Sequence, residues 1–258
     1  YIRRFGFDPA RHPPYLTMAL GAGSVTPLQL AAAYGVFANG GFSVKPYLID
    51  KVTDKDGHLL MQASPQKAGG NAPRVIDPRN AWLMTSMMQD VVRYGTAARA
   101  GQLGRSDLAG KTGTTNDARD TWFAGYNPDL VAISWMGYDQ PRSLGRGETG
   151  AQSALPIWIN FMGPALRGVP QTGWTMPAGI VAMKIDPATG TRFSETIVDE
   201  LLGDLLGNQT PGSAEHFYQE FRPPKAATVD GDAEPATPTG PEPAAPAEPE
   251  PASPWVPL

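Results

Sequence analysis

The sequence contains no cysteine, and this absence excludes disulfide bonds, a thiol nucleophile and thiolate ligands for a metal ion. Its three histidines, His12, His58 and His216, are too widely spaced to form a metal-binding pair on one helix or hairpin. No apolar run reaches the roughly 18 to 20 residues that a membrane-spanning helix needs. We therefore expect no metal centre, no other cofactor and no membrane span within these residues.

Basic residues are absent from the end of the chain, because no Lys or Arg follows Lys225. Six of the 25 acids lie after residue 229, so the preceding part has 21 basic and 19 acidic residues and a net charge of +2. Neither part has the dense basic stripe of a nucleic-acid-binding protein. From Pro211 onward, 12 prolines in 48 residues and few apolar side chains predict a disordered or polyproline-like tail.

Three helices are predicted in the rest of the chain. Thr26 and Gln29 form a capping box, and Asn39 to Gly41 end the first helix. The second begins at Asp77 and ends at Tyr94. Its apolar residues recur at helical spacing and predict a core-facing stripe: Trp82, Leu83, Met84, Met87, Met88, Val91 and Val92. The third, residues 154–166, is apolar nearly all round and is predicted to be short and buried.

Strand signals lie between these helices. Residues 42–60 predict a hairpin that turns at Asp54 to Gly57. Residues 111–115, 121–126 and 130–138 predict three consecutive strands, the last two in an antiparallel hairpin. Ile180 to Ile185 and the segment from Arg192 onward predict one more small hairpin. Together the signals favour an α+β fold with a mostly antiparallel sheet.

The stretch that carries chemistry is Lys111-Thr112-Gly113-Thr114. A phosphate-binding Walker loop would require a glycine five residues before Gly110, where this sequence has Arg105, so nucleotide binding is disfavoured. On a strand, Lys111 and Gly113 share one face and the two threonines share the other. An extended substrate can pair with such a strand edge, and its carboxylate suits the hydroxyls and the ammonium group.

Two longer strings contain or precede this motif: LGAGSVTPLQLAAAYGVFANGGFSVKPYLI at residues 20–49 and KTGTTNDARDTWFAGY at residues 111–126. The Lys-Thr-Gly triplet occurs in penicillin-binding proteins and β-lactamases. Over about residues 1–200 the chain resembles the C-terminal part of the transpeptidase domain of class A, bifunctional penicillin-binding proteins of the 1A type. The resemblance implies the transpeptidase fold shared with serine β-lactamases, an antiparallel sheet with helices on both faces, of which this chain has the C-terminal part only.

The resemblance also implies roles for the motif residues. Lys111 would join the active-site hydrogen-bond network and hold a positive field for the substrate carboxylate. Thr112 and Thr114 would offer hydroxyls to that carboxylate, Gly113 would allow close backbone approach, and the Thr114 N–H would form half of the oxyanion hole. Thr115 would lie at the cleft end of the strand and also contact substrate.

The family's serine nucleophile and its Ser-x-Asn motif have no counterpart here. No Ser-x-Asn string occurs, and the one Ser-x-x-Lys match, Ser64 to Lys67, lies in a Pro- and Gly-containing loop without the helix that would align serine and lysine. We interpret this match as chance, and the chain as a fragment that is inactive alone. The predicted division is a partial transpeptidase domain at 1–170, an extension with the small hairpin at 171–210, and the Pro/Ala/Glu-rich disordered tail at 211–258.

The predicted function is part of a serine D,D-transpeptidase. It would cross-link peptidoglycan stem peptides that end in D-Ala-D-Ala, through an acyl-serine intermediate, and β-lactam antibiotics would acylate it. The resemblance implies a parent protein with a glycosyltransferase domain and an N-terminal membrane anchor at the periplasmic face of the bacterial inner membrane. The N-terminal remainder would be a further partner. Two alternatives stay open: a non-catalytic module of the same fold that binds peptides or β-lactams, and a serine β-lactamase.

Overall fold

The computed structural model describes residues 1–12, 14–186, 188–192 and 213–225. Within these residues it contains three α-helices, seven strands, and short 3₁₀ and π-helical turns. The helices are α1 (Pro27–Ala38), α2 (Pro78–Arg93) and α3 (Leu155–Ala165). The strands are β1 (Lys51–Thr53), β2 (Leu59–Gln62), β3 (Ala109–Thr114), β4 (Asp120–Tyr126), β5 (Val131–Gly137), β6 (Ile180–Ile185) and β7 (Ser213–Tyr218).

The first two helices begin where their capping residues predict. The Gln29 N–H donates to Thr26 Oγ1 at 3.2 Å, and the Thr26 N–H donates to Gln29 Oε1 at 2.9 Å, so both halves of the capping box form. Asp77 Oδ1 accepts the Arg79 N–H at 2.8 Å and caps the start of α2 by this single bond. Pro27 and Pro78 occupy the first helical turns, where a missing N–H costs nothing.

The centre of the fold is an antiparallel three-stranded sheet in the order β3-β4-β5. β3 pairs with β4 without a break from Ala109↔Tyr126 to Thr114↔Thr121. β4 and β5 form the predicted hairpin, whose turn is closed by Asn127 Oδ1 as it accepts the Leu130 N–H at 2.8 Å. The three predicted strands are therefore confirmed, with β3 extended back to Ala109.

Helices cover both faces of this sheet. On one face Phe123 packs edge-to-face against Trp158 of α3, with ring centroids 5.0 Å apart. On the other face Tyr126 contacts Met88 of α2, and its ring lies 6.1 Å from that of Tyr34 of α1. Burial raises the pKa of the Tyr34 phenol to about 12, so the group is neutral in the core. The structure thus confirms the predicted sheet with helices on both faces.

Two predicted helix faces are narrower than expected. In α2 the buried residues are Ala81, Thr85, Met88 and Val92, while Met87 is exposed, so its assignment to the core stripe is wrong. The predicted set spans too wide an arc for one helix face. α3 buries Trp158 and Met162 but exposes Ile157 and Phe161 on its outer side, so it is not buried all round.

The predicted hairpin at 42–60 forms only at its end. β1 and β2 pair around the turn at Asp54 to Gly57, and all seven of their residues are exposed. Upstream, residues 43–50 are not strand, and Phe42 makes a single bridge to Arg74. No helix in the described part of the chain is both long and apolar enough to cross a membrane.

The last sheet contains a strand that the sequence does not predict. β6 pairs over six residues with β7. Arg192, where the predicted partner segment of β6 begins, bridges Ile185 and Lys225, and the rest of that segment, from residue 193 to 212, lies outside the described residues. β7 falls inside the segment predicted as a disordered tail from residue 211, so that prediction is wrong for Ser213–Tyr218. Residues 211–212 and 226–258 of the predicted tail lie outside the described residues.

Candidate functional site

The candidate site lies along β3, the terminal strand of the central sheet among the described residues. In an antiparallel ladder, successive residues direct their backbone groups alternately toward and away from the partner strand. The Thr115 N–H donates to Asp120 O at 3.2 Å, in the same register as the ladder. The alternation therefore directs the N–H of Thr114 to the open edge of the sheet.

Lys111 provides the positive charge on this edge. Its side chain is exposed, and Nζ donates to the carbonyl oxygen of Thr112 at 2.8 Å. By the same alternation, that carbonyl faces the open edge. The ammonium group consequently lies beside the backbone with which an extended ligand would pair.

Thr112 is half-buried and has a hydroxyl partner. Its Oγ1 lies 2.6 Å from Oγ1 of Thr96, which follows α2 in the chain. Either hydroxyl can be the donor. No sequence signal marks Thr96, because its Gly-Thr-Ala segment has the composition of an ordinary turn after a helix.

Thr114 is exposed, and its hydroxyl is held by a different segment. Its Oγ1 accepts the N–H of Gly150 at 3.0 Å. Gly150 begins the π-helical turn Gly150–Ala154 that leads into α3. Gly113, between the two threonines, faces Trp122, whose Cβ would be only 3.2 Å from a Cβ added to the glycine. The sequence motif correctly groups these residues on one strand, but it does not reveal Gly150.

Thr115 closes the loop that follows β3. Its Oγ1 accepts the Asp120 N–H at 2.9 Å and lies 3.2 Å from Asp120 O, to which it can donate. In the loop Asp117 and Ala118 have positive φ angles of 59° and 47°, a conformation that costs energy for residues other than glycine. The Thr115 hydroxyl is thus used in closing this loop, and its contact with substrate stays a prediction.

The sequence match at Ser64 to Lys67 lies in an irregular exposed loop. The Lys67 N–H donates to Asn71 Oδ1 at 2.8 Å, and Gln66 Oε1 accepts the Lys45 N–H at 2.9 Å. No helix places the Ser64 hydroxyl next to the Lys67 amine. The geometry agrees with the interpretation of this match as chance.

One group of side chains that could bind a metal ion occurs among the described residues, at the turn of the β1–β2 hairpin. It consists of Asp54, Asp56 and His58, with ligand atoms within 4.8 Å of one another. Asp54 already accepts hydrogen bonds from the His58 side chain and backbone, and these lower the pKa of its carboxyl. The cluster is an ordinary hydrogen-bonded turn and lies outside the β3 site.

Comparisons with known proteins agree on one family. The family described as "Penicillin binding protein transpeptidase domain" matches residues 13–156, which include the whole of β3. The chain is 56% identical over 182 residues to penicillin-binding protein 1A of Neisseria lactamica, a match that covers 70% of this chain and 23% of that protein. The chain therefore spans about a quarter of the length of this relative.

Solved structures give the same result. A crystal structure of penicillin-binding protein 1A from Haemophilus influenzae aligns with a TM-score of 0.76 and 34% identity, over 88% of this chain and 37% of that chain. The PonA1 protein of Mycobacterium tuberculosis in complex with penicillin V aligns with a TM-score of 0.50 and 26% identity, over 64% of this chain and 44% of that chain.

Proposed function

Because the chain belongs to the penicillin-binding protein transpeptidase family, we propose that it is the C-terminal part of a D,D-transpeptidase that cross-links peptidoglycan stem peptides. The observation that carries the proposal is the open edge of β3. There the Lys111 ammonium group and the hydroxyls of Thr112 and Thr114 lie on one strand inside the family match. An extended peptide that ends in a carboxylate complements this edge.

The proposed reaction has two acyl-transfer steps. A serine hydroxyl from the rest of the protein attacks the carbonyl carbon between the two terminal D-Ala residues, and a base takes its proton. The C–N bond breaks, and the departing D-Ala amine receives a proton. An amine of a second stem peptide then attacks the acyl-serine ester, forms the new amide and releases the serine.

The four residues of β3 from Lys111 to Thr114 each have a part in these steps. The Thr114 N–H, on the open edge, donates to the oxyanion that forms as the carbonyl is attacked. The hydroxyls of Thr112 and Thr114 donate to the terminal carboxylate, and Lys111 favours its negative charge. Gly113 adds no side chain, so the backbone of the substrate can come close. A β-lactam has a carboxylate next to its reactive carbonyl and fits the same positions.

The chain is proposed to supply one wall of the site only. The nucleophilic serine, its lysine base and the Ser-x-Asn residues would come from the N-terminal remainder of the parent protein. That remainder would also provide a glycosyltransferase domain and the anchor at the periplasmic face of the inner membrane. This chain alone is expected to be inactive. The similarity to the PonA1 protein in complex with penicillin V supports β-lactams as ligands.

The experiment is a measurement of penicillin acylation in the full-length parent carrying Lys111→Ala. We expect the acylation rate constant to fall at least tenfold, since the positive charge beside the carboxylate is lost. The matched control is Lys51→Ala, which removes an exposed strand lysine from β1 and should leave the rate unchanged. An unimpaired Lys111→Ala variant would reject the proposal, and rapid release of hydrolysed penicillin by the unmodified parent would indicate a β-lactamase instead.

A further inference from the structure

The π-helical turn Gly150–Ala154 packs directly on the site strand. Its first residue, Gly150, is buried, and its N–H donates to Thr114 Oγ1 at 3.0 Å. The two residues are 36 positions apart in the sequence, so only the tertiary fold brings them together. Short π-helical segments occur frequently at functional sites.

This hydrogen bond restricts the direction of the Thr114 hydroxyl proton, which must point away from the Gly150 N–H. A threonine hydroxyl has one hydrogen to donate and two lone pairs with which to accept. Since the backbone N–H of Gly150 can only donate, it takes one lone pair and leaves the hydroxyl hydrogen unused. The Thr114 side chain is exposed at the strand edge, and there its hydrogen can be donated to a ligand.

Only glycine fits at position 150 with this geometry. A Cβ added to Gly150 would lie 2.6 Å from Gly113 O, 2.6 Å from Trp122 O and 3.0 Å from Gly113 N. All three atoms belong to the backbone of paired strands and cannot rotate away. Any side chain at this position would therefore push the turn off β3 and lengthen the bond to Thr114.

Neighbouring contacts hold the turn in place. The Ser153 hydroxyl donates to the Glu148 carboxylate, and the Ser153 N–H donates to Thr149 O at 2.8 Å. Ser153 is itself buried. At the other end of the turn the Ser134 hydroxyl of β5 donates to Ala154 O at 2.7 Å, so the Gly150 N–H has a defined direction toward the strand.

We infer that Gly150 is a positioning residue for ligand binding: it orients the Thr114 hydroxyl as a hydrogen-bond donor to the carboxylate of the stem peptide or β-lactam. The inference rests on the proposed function, in which Thr114 contacts that carboxylate. It adds a requirement for glycine at a position outside the Lys-Thr-Gly motif.

The test compares acylation of the full-length parent by penicillin G and by its methyl ester, which lacks the free carboxylate. Gly150→Ala should slow acylation by the acid about 10- to 100-fold, the loss expected for a binding group displaced by about 1 Å. Acylation by the ester should change much less. Thr114→Val should show the same selective loss, and the double variant should be no slower than Thr114→Val, because both changes remove one interaction.

Two further variants separate positioning from folding. Gly35→Ala adds the same methyl group to a glycine of α1 that has open space around it, and it should leave both rates unchanged. Ser153→Ala loosens the turn without adding volume, so it should give a smaller loss that is again selective for the acid. It also keeps the test usable if Gly150→Ala does not fold.

The outcomes distinguish this inference from the proposed function. If Thr114→Val is selective for the acid but Gly150→Ala and Ser153→Ala slow acid and ester equally, the turn acts only in packing and the inference is wrong. If Thr114→Val is not selective for the acid, the carboxylate role of Thr114 is wrong, and the inference fails with it. Selective loss in all three variants supports both.

Discussion

The central sheet and the β1–β2 hairpin use the same antiparallel pairing but differ in what covers them. In the central sheet Phe123 and Tyr126 are fully buried under helices on opposite faces, and the β3–β4 register is unbroken. In the hairpin every residue of the two strands is exposed, Leu60 to 66%, and the register shifts between Val52 and Thr53. Backbone pairing alone does not make a rigid surface. The candidate site lies on β3, which pairs along its whole length with β4, the strand that carries Phe123 and Tyr126.

The sharpest contrast between the two regions should come from deleting one large side chain in each. Trp158→Ala removes a ring that packs on Phe123 and donates to Ala132 O at 3.1 Å, and it should lower the free energy of unfolding by about 3–5 kcal/mol. Leu60→Ala in the hairpin should change it by less than about 0.5 kcal/mol. Urea denaturation of both variants measures the difference. Equal effects would show that the central sheet is not the stability core.

Breaking one ion pair in each region should show the same contrast in the free energy of unfolding, with a smaller difference. Arg105 Nη2 lies 2.6 Å from Asp107 Oδ2, two residues before β3, and the two side chains are 9% and 2% exposed. Asp107→Asn leaves the Arg105 guanidinium buried without its counter-charge, and it should lower the free energy of unfolding by about 3 kcal/mol. On the hairpin, Asp56→Asn breaks the pair with Lys55, whose side chain is 88% exposed. This substitution should lower the free energy of unfolding by less than about 0.5 kcal/mol. A cost for Asp56→Asn as large as that for Asp107→Asn would contradict the contrast.

Local patterns in the sequence predict much of the central region. The capping box at Thr26 and Gln29 lies within four residues, and the strand signals of β4 and β5 come from runs of residues that favour β-structure, joined by a short turn. The Lys-Thr-Gly motif likewise places its residues on one strand edge, because alternation along a strand is a local property.

Three features that the sequence does not predict depend on distant partners. β7 pairs with β6 across residues 193–212, so nothing local marks it as a strand partner. Thr96 and Gly150 reach the site strand from 16 and 36 residues away, and their contribution is a single hydrogen bond each. The assignment of Met87 to the core stripe is wrong because periodicity identifies the apolar residues of a helix but not the width of the face that is buried.

The smallest expected effect on stability is the loss of the Asp54 hydrogen bonds at the hairpin turn when the pH is lowered. Hydrogen bonds from His58 lower the pKa of the Asp54 carboxyl in the folded protein. The stabilisation from these bonds is therefore fully present above the pKa of Asp54 in the unfolded chain. It is lost as the pH falls through the lower pKa of the folded state. An NMR titration should find the Asp54 pKa below the ordinary aspartate range and the hairpin signals shifting in that window. The signals of the central sheet should stay unchanged there. An ordinary or raised Asp54 pKa would contradict the hydrogen-bond assignment.

The central claim is that this chain forms one wall of an acylation site whose nucleophile lies elsewhere in the parent protein. Peptide mapping by mass spectrometry, after the full-length parent is labelled with penicillin, tests it most directly. We expect the covalent adduct on a serine outside these 258 residues, and a lower yield of that adduct when Lys111 is replaced by Ala. An adduct on a serine within the chain, Ser64 above all, would contradict the claim.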